Sequence, residues 1–202
     1  VSFSKHNVQA LYLYAATLSG SLLGFVTSII NTRFLTESEY GDVRYVQNLI
    51  TLSASLLLFG YFLSGSRLLA LSKNEQNSRR VRGAMVVVLI LCSAILVTMT
   101  LVAGVFHSSN ADVGSLFLVS LPVCFFPLLT NYINNTAQGD NHIGRLALSR
   151  LLPALLYIPV AYFIYDNYGA TPKLVALLQW GIYSIVLSLL VLSTRPSFKN
   201  LG

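Results

Sequence analysis

Five arginines stand near the ends of long apolar stretches: Arg33, Arg44, Arg67, Arg145 and Arg150. A guanidinium offers a planar fork of donors that can take two phosphate oxygens at once, so several turned into one cavity would seat an anion. The ordinary alternative is snorkelling, in which the stem stays in apolar surroundings and the charge reaches the headgroups. A second constellation is Thr130-Asn-Tyr-Ile-Asn-Asn-Thr-Ala-Gln-Gly139, where Asn131, Asn134, Asn135 and Gln138 recur at offsets of three, four and seven and share one helical face. A stripe of amides facing lipid would be costly, so it should face the interior of a bundle, a watery cavity or the interface. Arg44, Gln47, Asn48 and Thr51 form a similar polar cluster at the far end of another stretch.

Other chemistries lack their residues. His6, His107 and His142 have no ligand spacing, and Cys92 and Cys124 lie inside apolar stretches, where they read as packing residues rather than a disulfide or metal pair. There is no glycine-rich phosphate loop, nucleophile elbow or pair of catalytic carboxylates. The expectation is a protein that is not an enzyme and uses no cofactor or metal. No acid falls in the middle of an apolar stretch, which also argues against a proton or sodium relay.

The elements that must position these residues are membrane spans. Hydrophobic residues make up 54% of the chain, charged ones only 10%, and the mean hydropathy is +0.67. Ordinary soluble domains carry about 25% charged residues. Six stretches are about 20 residues long, enough to cross roughly 30 Å of hydrocarbon. They cover about 10–32, 43–65, 83–106, 113–135, 149–165 and 174–194. The fold expected is all-α: a single six-helix transmembrane lobe. Pro122 and Pro127 should bend the fourth span and Pro153 and Pro159 the fifth, either to fit neighbours or to give a wall that flexes. In the first span, Gly20-Ser-Leu-Leu-Gly24 has the small-xxx-small form that admits a close neighbour.

Cations orient the chain. Of the thirteen Lys and Arg residues, Lys5, Arg67, Lys73, Arg79, Arg80, Arg82, Arg145, Arg150, Arg195 and Lys199 fall on one side. Arg33, Arg44 and Lys173 fall on the other. The positive-inside rule then places both termini in the cytoplasm. The net charge of +6 needs no nucleic-acid partner, because it sits in short loops. Arg79, Arg80 and Arg82 could in addition attract anionic headgroups.

The stretch Leu23 to Gly41 resembles the end of the first helix and first outer loop of the polysaccharide flippases, the O-antigen and polysaccharide exporters of the multidrug/oligosaccharidyl-lipid/polysaccharide superfamily. The matching features are Phe34-Leu35, Glu37, Glu39 and Tyr40-Gly41, then Phe59-Gly60 through Ser66-Arg67, and Gln138-Gly139. Over about the first 150 residues the likeness is closest, and the first loop is its most specific part. The loop also has a local account: Thr36 or Ser38 can cap the next helix, Glu37 and Glu39 suit its N-terminal dipole, and Gly41 permits a tight bend.

The resemblance implies a transporter of the bacterial inner membrane that moves an undecaprenyl-pyrophosphate-linked oligosaccharide by alternating access, often between two six-helix lobes. Arg33, Arg44, Arg67 and Arg150 are then candidates for the diphosphate, with Asn131, Asn135 and Gln138 lining a path for the glycan. Six spans correspond to the first lobe alone, and the sequence opens on Val1. An alternative start, a truncated frame, a fragment and a half-size protein that pairs with a second lobe all fit. Two other functions stay open: export of small cations, and a non-transporting subunit bound to polysaccharide assembly proteins through its basic second inner loop.

Overall fold

The computed structural model describes residues 5–72 and 74–196, with side chains from Tyr14 onward. Lys73 and Lys199 lie outside the described residues, as do the side chains of Lys5 and His6. The described chain is all-helical: α1 (Lys5–Phe34), α2 (Glu37–Leu58), α3 (Tyr61–Leu71), α4 (Glu75–Phe106), α5 (Ala111–Ser120), α6 (Phe126–Gly139), α7 (Ile143–Tyr168) and α8 (Pro172–Ser193). Among the described residues, four helices are long and apolar enough to cross a membrane, and the count rises to six if the bent pairs α2–α3 and α5–α6 are each one span. Large apolar side chains cover the outside, Phe59, Leu71 and Phe106 among the most exposed. Such a surface belongs in lipid, and the protein is a multi-pass membrane protein.

Local chemistry sets the helix starts. Thr36 caps α2 by accepting from the Glu39 amide, while Glu39 Oε2 takes the Thr36 amide at 2.9 Å, a complete capping box. The turn therefore lies at Leu35–Thr36, and Gly41 sits within α2 instead of making the bend expected of it. Asn110 caps α5, and Thr171 caps α8 ahead of Pro172 in its first turn.

The second and fifth spans differ from the sequence reading, and the fourth bends as its prolines lead one to expect. The second is not one straight helix: Phe59 (φ 36°) and Gly60 (φ 77°) both adopt the left-handed conformation and turn α3 by 54° from α2. The fourth bends by 41°, where a short 3₁₀ turn over Leu121–Val123 leads into α6 near Pro122 and Pro127. The fifth carries Pro153 and Pro159 inside one unbroken 26-residue helix, so those prolines only remove two donors from a continuous ladder. It also exceeds the expected 149–165, because its first turns carry the polar residues Arg145, Ser149 and Arg150.

The core lies between α2, α4, α5, α6 and α8, with Ala54, Leu96, Cys124, Leu128 and Tyr132 fully enclosed. Phe62 meets the Tyr132 ring edge-on at 5.8 Å. Cys92 and Cys124 are buried free thiols. Helix α1 stands apart and lies along α7. Buried Asn31 accepts from the Tyr157 hydroxyl, which lies 2.9 Å from that of Tyr165 and fixes the two helices in register.

A candidate recognition groove and a buried ion network

An open groove of about 490 Å³ runs between α1, α6, α7 and α8. Helical spacing builds each wall. On α6, Phe126, Thr130 and Asn134 follow at four-residue steps; on α8, Tyr183 and Leu187 do the same. Helix α1 adds Thr17, Gly20 and Ser21, and α7 adds Ser149 and Arg150. A β-carbon on Gly20 would lie 3.5 Å from Arg150 Cβ, an ordinary van der Waals contact, so α1 and α7 are not held together here by the lack of a side chain. A β-carbon on Gly24 would meet nothing within 4 Å, so neither glycine of the small-xxx-small pair is required by a close neighbour in this bundle.

Arg150 is the groove's cation, and it donates to the Thr17 hydroxyl across α1 and α7. Several neighbouring polar groups are satisfied within their own helices: Ser149 Oγ donates to Leu146 O at 2.8 Å and Thr130 Oγ1 to Phe126 O at 3.1 Å. Asn134 makes no hydrogen bond with a described residue. Its half-buried amide therefore offers unused donors and acceptors to the groove. No carboxylate lines it among the described residues.

Arg44 occupies a second inward position. Its Nε donates to Tyr40 Oη at 2.7 Å, one terminal nitrogen to Ser28 Oγ at 3.0 Å and the other to Gln47 Oε1 at 3.3 Å, with the guanidinium carbon 5.0 Å from the Tyr40 ring centre. Gln47 passes the connection to Gln179 on α8 at 3.3 Å, one turn before Tyr183. Arg44 thus ties α1, α2 and α8 together.

The other candidates are scattered. Arg33 and Arg67 are exposed and make no ion pair or hydrogen bond with described residues, which suits snorkelling rather than a shared cationic seat. Asn131 and Asn135 return their amides to the carbonyls of Pro127 and Asn131 at 3.0 and 2.8 Å, and Gln138 is exposed at the end of α6. The amide face exists, but Asn134 is the member that reaches the groove.

The sequence reading missed a buried ion network. Arg82, read there as a loop cation that orients the chain and could attract headgroups, is 7% exposed. Its Nε lies 3.1 Å from Asp140 Oδ2, one terminal nitrogen lies 3.3 Å from Oδ1, and the other donates to the Thr194 carbonyl at 2.8 Å. Arg145 approaches the same carboxylate at 3.6 Å, and Tyr132 Oη is 3.2 Å from Thr194 Oγ1. The start of α4, the α6–α7 turn and the end of α8 are joined around one carboxylate. Asp140 lies in the turn between α6 and α7, outside every apolar stretch, so its position in the sequence does not mark it as a buried acid. The available signal was its place on the same predicted side as Arg82 and Arg145.

A family model described as polysaccharide biosynthesis protein matches residues 8–201. No curated protein and no solved structure matches the chain.

Proposed function

The chain belongs to the polysaccharide biosynthesis protein family, and from that premise we propose that it is a flippase, carrying a lipid-linked oligosaccharide across the bacterial inner membrane for O-antigen or another surface polysaccharide. The observation that carries this reading is the groove. It holds one arginine, one unpartnered amide and several hydroxyls between apolar helices, and it is open rather than enclosed. Hydrocarbon would leave the Asn134 amide and the remaining donors of Arg150 unsatisfied. A diphosphate and its glycan satisfy them: Arg150 takes phosphate oxygens, and the amide takes sugar hydroxyls. The undecaprenyl tail lies outside, against the apolar face of the bundle.

In this reading the chain acts as a transporter and not as an enzyme, and a second six-helix lobe covers the groove's open side. Export of small cations suits the site less well, because its charged lining residue is an arginine. The test is complementation of a flippase-deficient strain, with surface polysaccharide scored by gel after membrane insertion is verified. The reading expects polymer from the wild-type chain, supplied with a second lobe if the chain alone is silent, and a loss of at least about tenfold for Arg150→Gln, the effect of removing one charged hydrogen-bond partner. Wild-type polymer from well-inserted Arg150→Gln would refute it.

A further inference from the structure

Next to Arg150, the groove carries an aromatic wall that a diphosphate does not need. Phe126 and Tyr183 are half-buried lining residues whose ring centres lie 5.3 Å apart at 84°. Behind Phe126 stands Trp180, 5.5 Å away and only 5% exposed, so the wall is fixed by packing. Asn134 lies two turns beyond Phe126 on α6. A polyprenyl tail would be served by the aromatics without the amide, and a phosphate by the arginine alone. A pyranose ring uses both, since its axial C–H bonds make an apolar face that stacks on aromatic rings, while its equatorial hydroxyls seek amide partners. The volume of about 490 Å³ is in the range of small-ligand sites.

We infer that Phe126, Tyr183 and Asn134 form a saccharide subsite that holds the first sugar ring beside the diphosphate engaged by Arg150. This rests on the flippase reading above and deepens it, because it gives the groove selectivity for sugar-bearing over bare lipid diphosphate. Phe126 and Asn134 are specificity-determining residues, and Arg150 is common to both ligands.

Trp180 is the chain's single tryptophan and touches Phe126, so its fluorescence reports on occupation of the subsite. The experiment uses the purified chain in lipid nanodiscs, titrated with undecaprenyl diphosphate and with undecaprenyl diphosphate carrying one N-acetylhexosamine. Wild type should bind the sugar-bearing probe more tightly. Phe126→Leu, which keeps apolar volume, and Asn134→Ala, which alters a half-exposed amide, should each weaken it by about fivefold while moving the bare lipid less than about twofold. Phe126→Tyr should bind like wild type, and Arg150→Gln should weaken both probes. Equal losses for the two probes, no loss in either variant, or no preference in wild type would overturn the subsite and leave the diphosphate seat standing. A wild-type chain that binds neither probe, alone or with a covering second lobe, would overturn both readings.

Discussion

Removing the Asp140 carboxylate should be among the most damaging single changes in the bundle. The side chains of Asp140 and Arg82 are 6% and 9% exposed, and they meet through contacts of 3.1 and 3.3 Å. Arg145 is 19% exposed at 3.6 Å, so it can turn outward when the acid is lost. Arg82 cannot, because it is enclosed and also holds the Thr194 carbonyl at 2.8 Å. Asp140→Ala therefore strands one guanidinium, at a cost of about 3–5 kcal/mol. Arg145→Gln should cost about 1 kcal/mol or less, the value of a longer, partly hydrated pair. The paired change Arg82→Met with Asp140→Leu removes both charges and should cost at least about 2 kcal/mol less than the sum of its parts. Unfolding in mixed micelles of mild detergent and sodium dodecyl sulfate gives each of these free energies, the two single changes of the pair included. Asp140→Ala within about 1 kcal/mol of wild type, or additive single changes, would refute the claim that this carboxylate holds three helix ends together.

Other outcomes follow from single contacts. Thr36→Ala should cost about 1 kcal/mol in the same unfolding titration, because it opens the cap of α2. Bonds from the Thr36 amide and hydroxyl hold the Glu39 carboxyl below its usual range. Its contribution is thus fully present above the unfolded value of about 4.3 and fades as pH falls through the lower folded value; Glu39→Gln should flatten that part of the pH–stability curve. Gly139→Ala would drive a β-carbon to 2.6 Å from the Ser66 carbonyl oxygen and 2.8 Å from Leu69 Cβ, forcing α3 and α6 apart at about 1–3 kcal/mol. Gly65→Ala should be milder, since the atom it meets at 2.6 Å is the Met85 sulfur, which can swing away. Arg67→Ala should leave surface polysaccharide within about twofold of wild type where Arg150→Gln lowers it at least about tenfold, because Arg67 is exposed on α3 away from the groove lining.

Hydropathy made the spans legible, since a stretch such as Gly83 to Phe106 has no other stable home. The first-loop cap was legible too, because Thr36 and Glu39 have the spacing of a capping box. Prolines were an uneven guide. Pro122 and Pro127 flank a real bend, whereas Pro153 and Pro159 stay within a helix held by Asn31, Tyr157 and Tyr165 against α1. The sharper break at Phe59–Gly60 left little trace, because glycine is common in membrane helices and nothing in the sequence marks an exposed phenylalanine for a left-handed backbone. At the site, residue type located Arg44, Arg150 and the amide face. Which amide reaches the groove, and that Arg82 turns inward to Asp140, depend on how the helices rotate about their axes, which one sequence leaves open.

The central claim is that the α1–α6–α7–α8 groove carries a lipid-linked saccharide. Its most direct test is translocation of a fluorescent undecaprenyl-diphosphate oligosaccharide in liposomes that hold the purified chain with a covering second lobe, using Arg150→Gln as the matched control. The account predicts that wild type brings the labelled glycan to the opposite leaflet at least about tenfold faster than the variant and protein-free vesicles. Equal rates for wild type and Arg150→Gln, each well above protein-free vesicles, would place the path elsewhere in the molecule and contradict it.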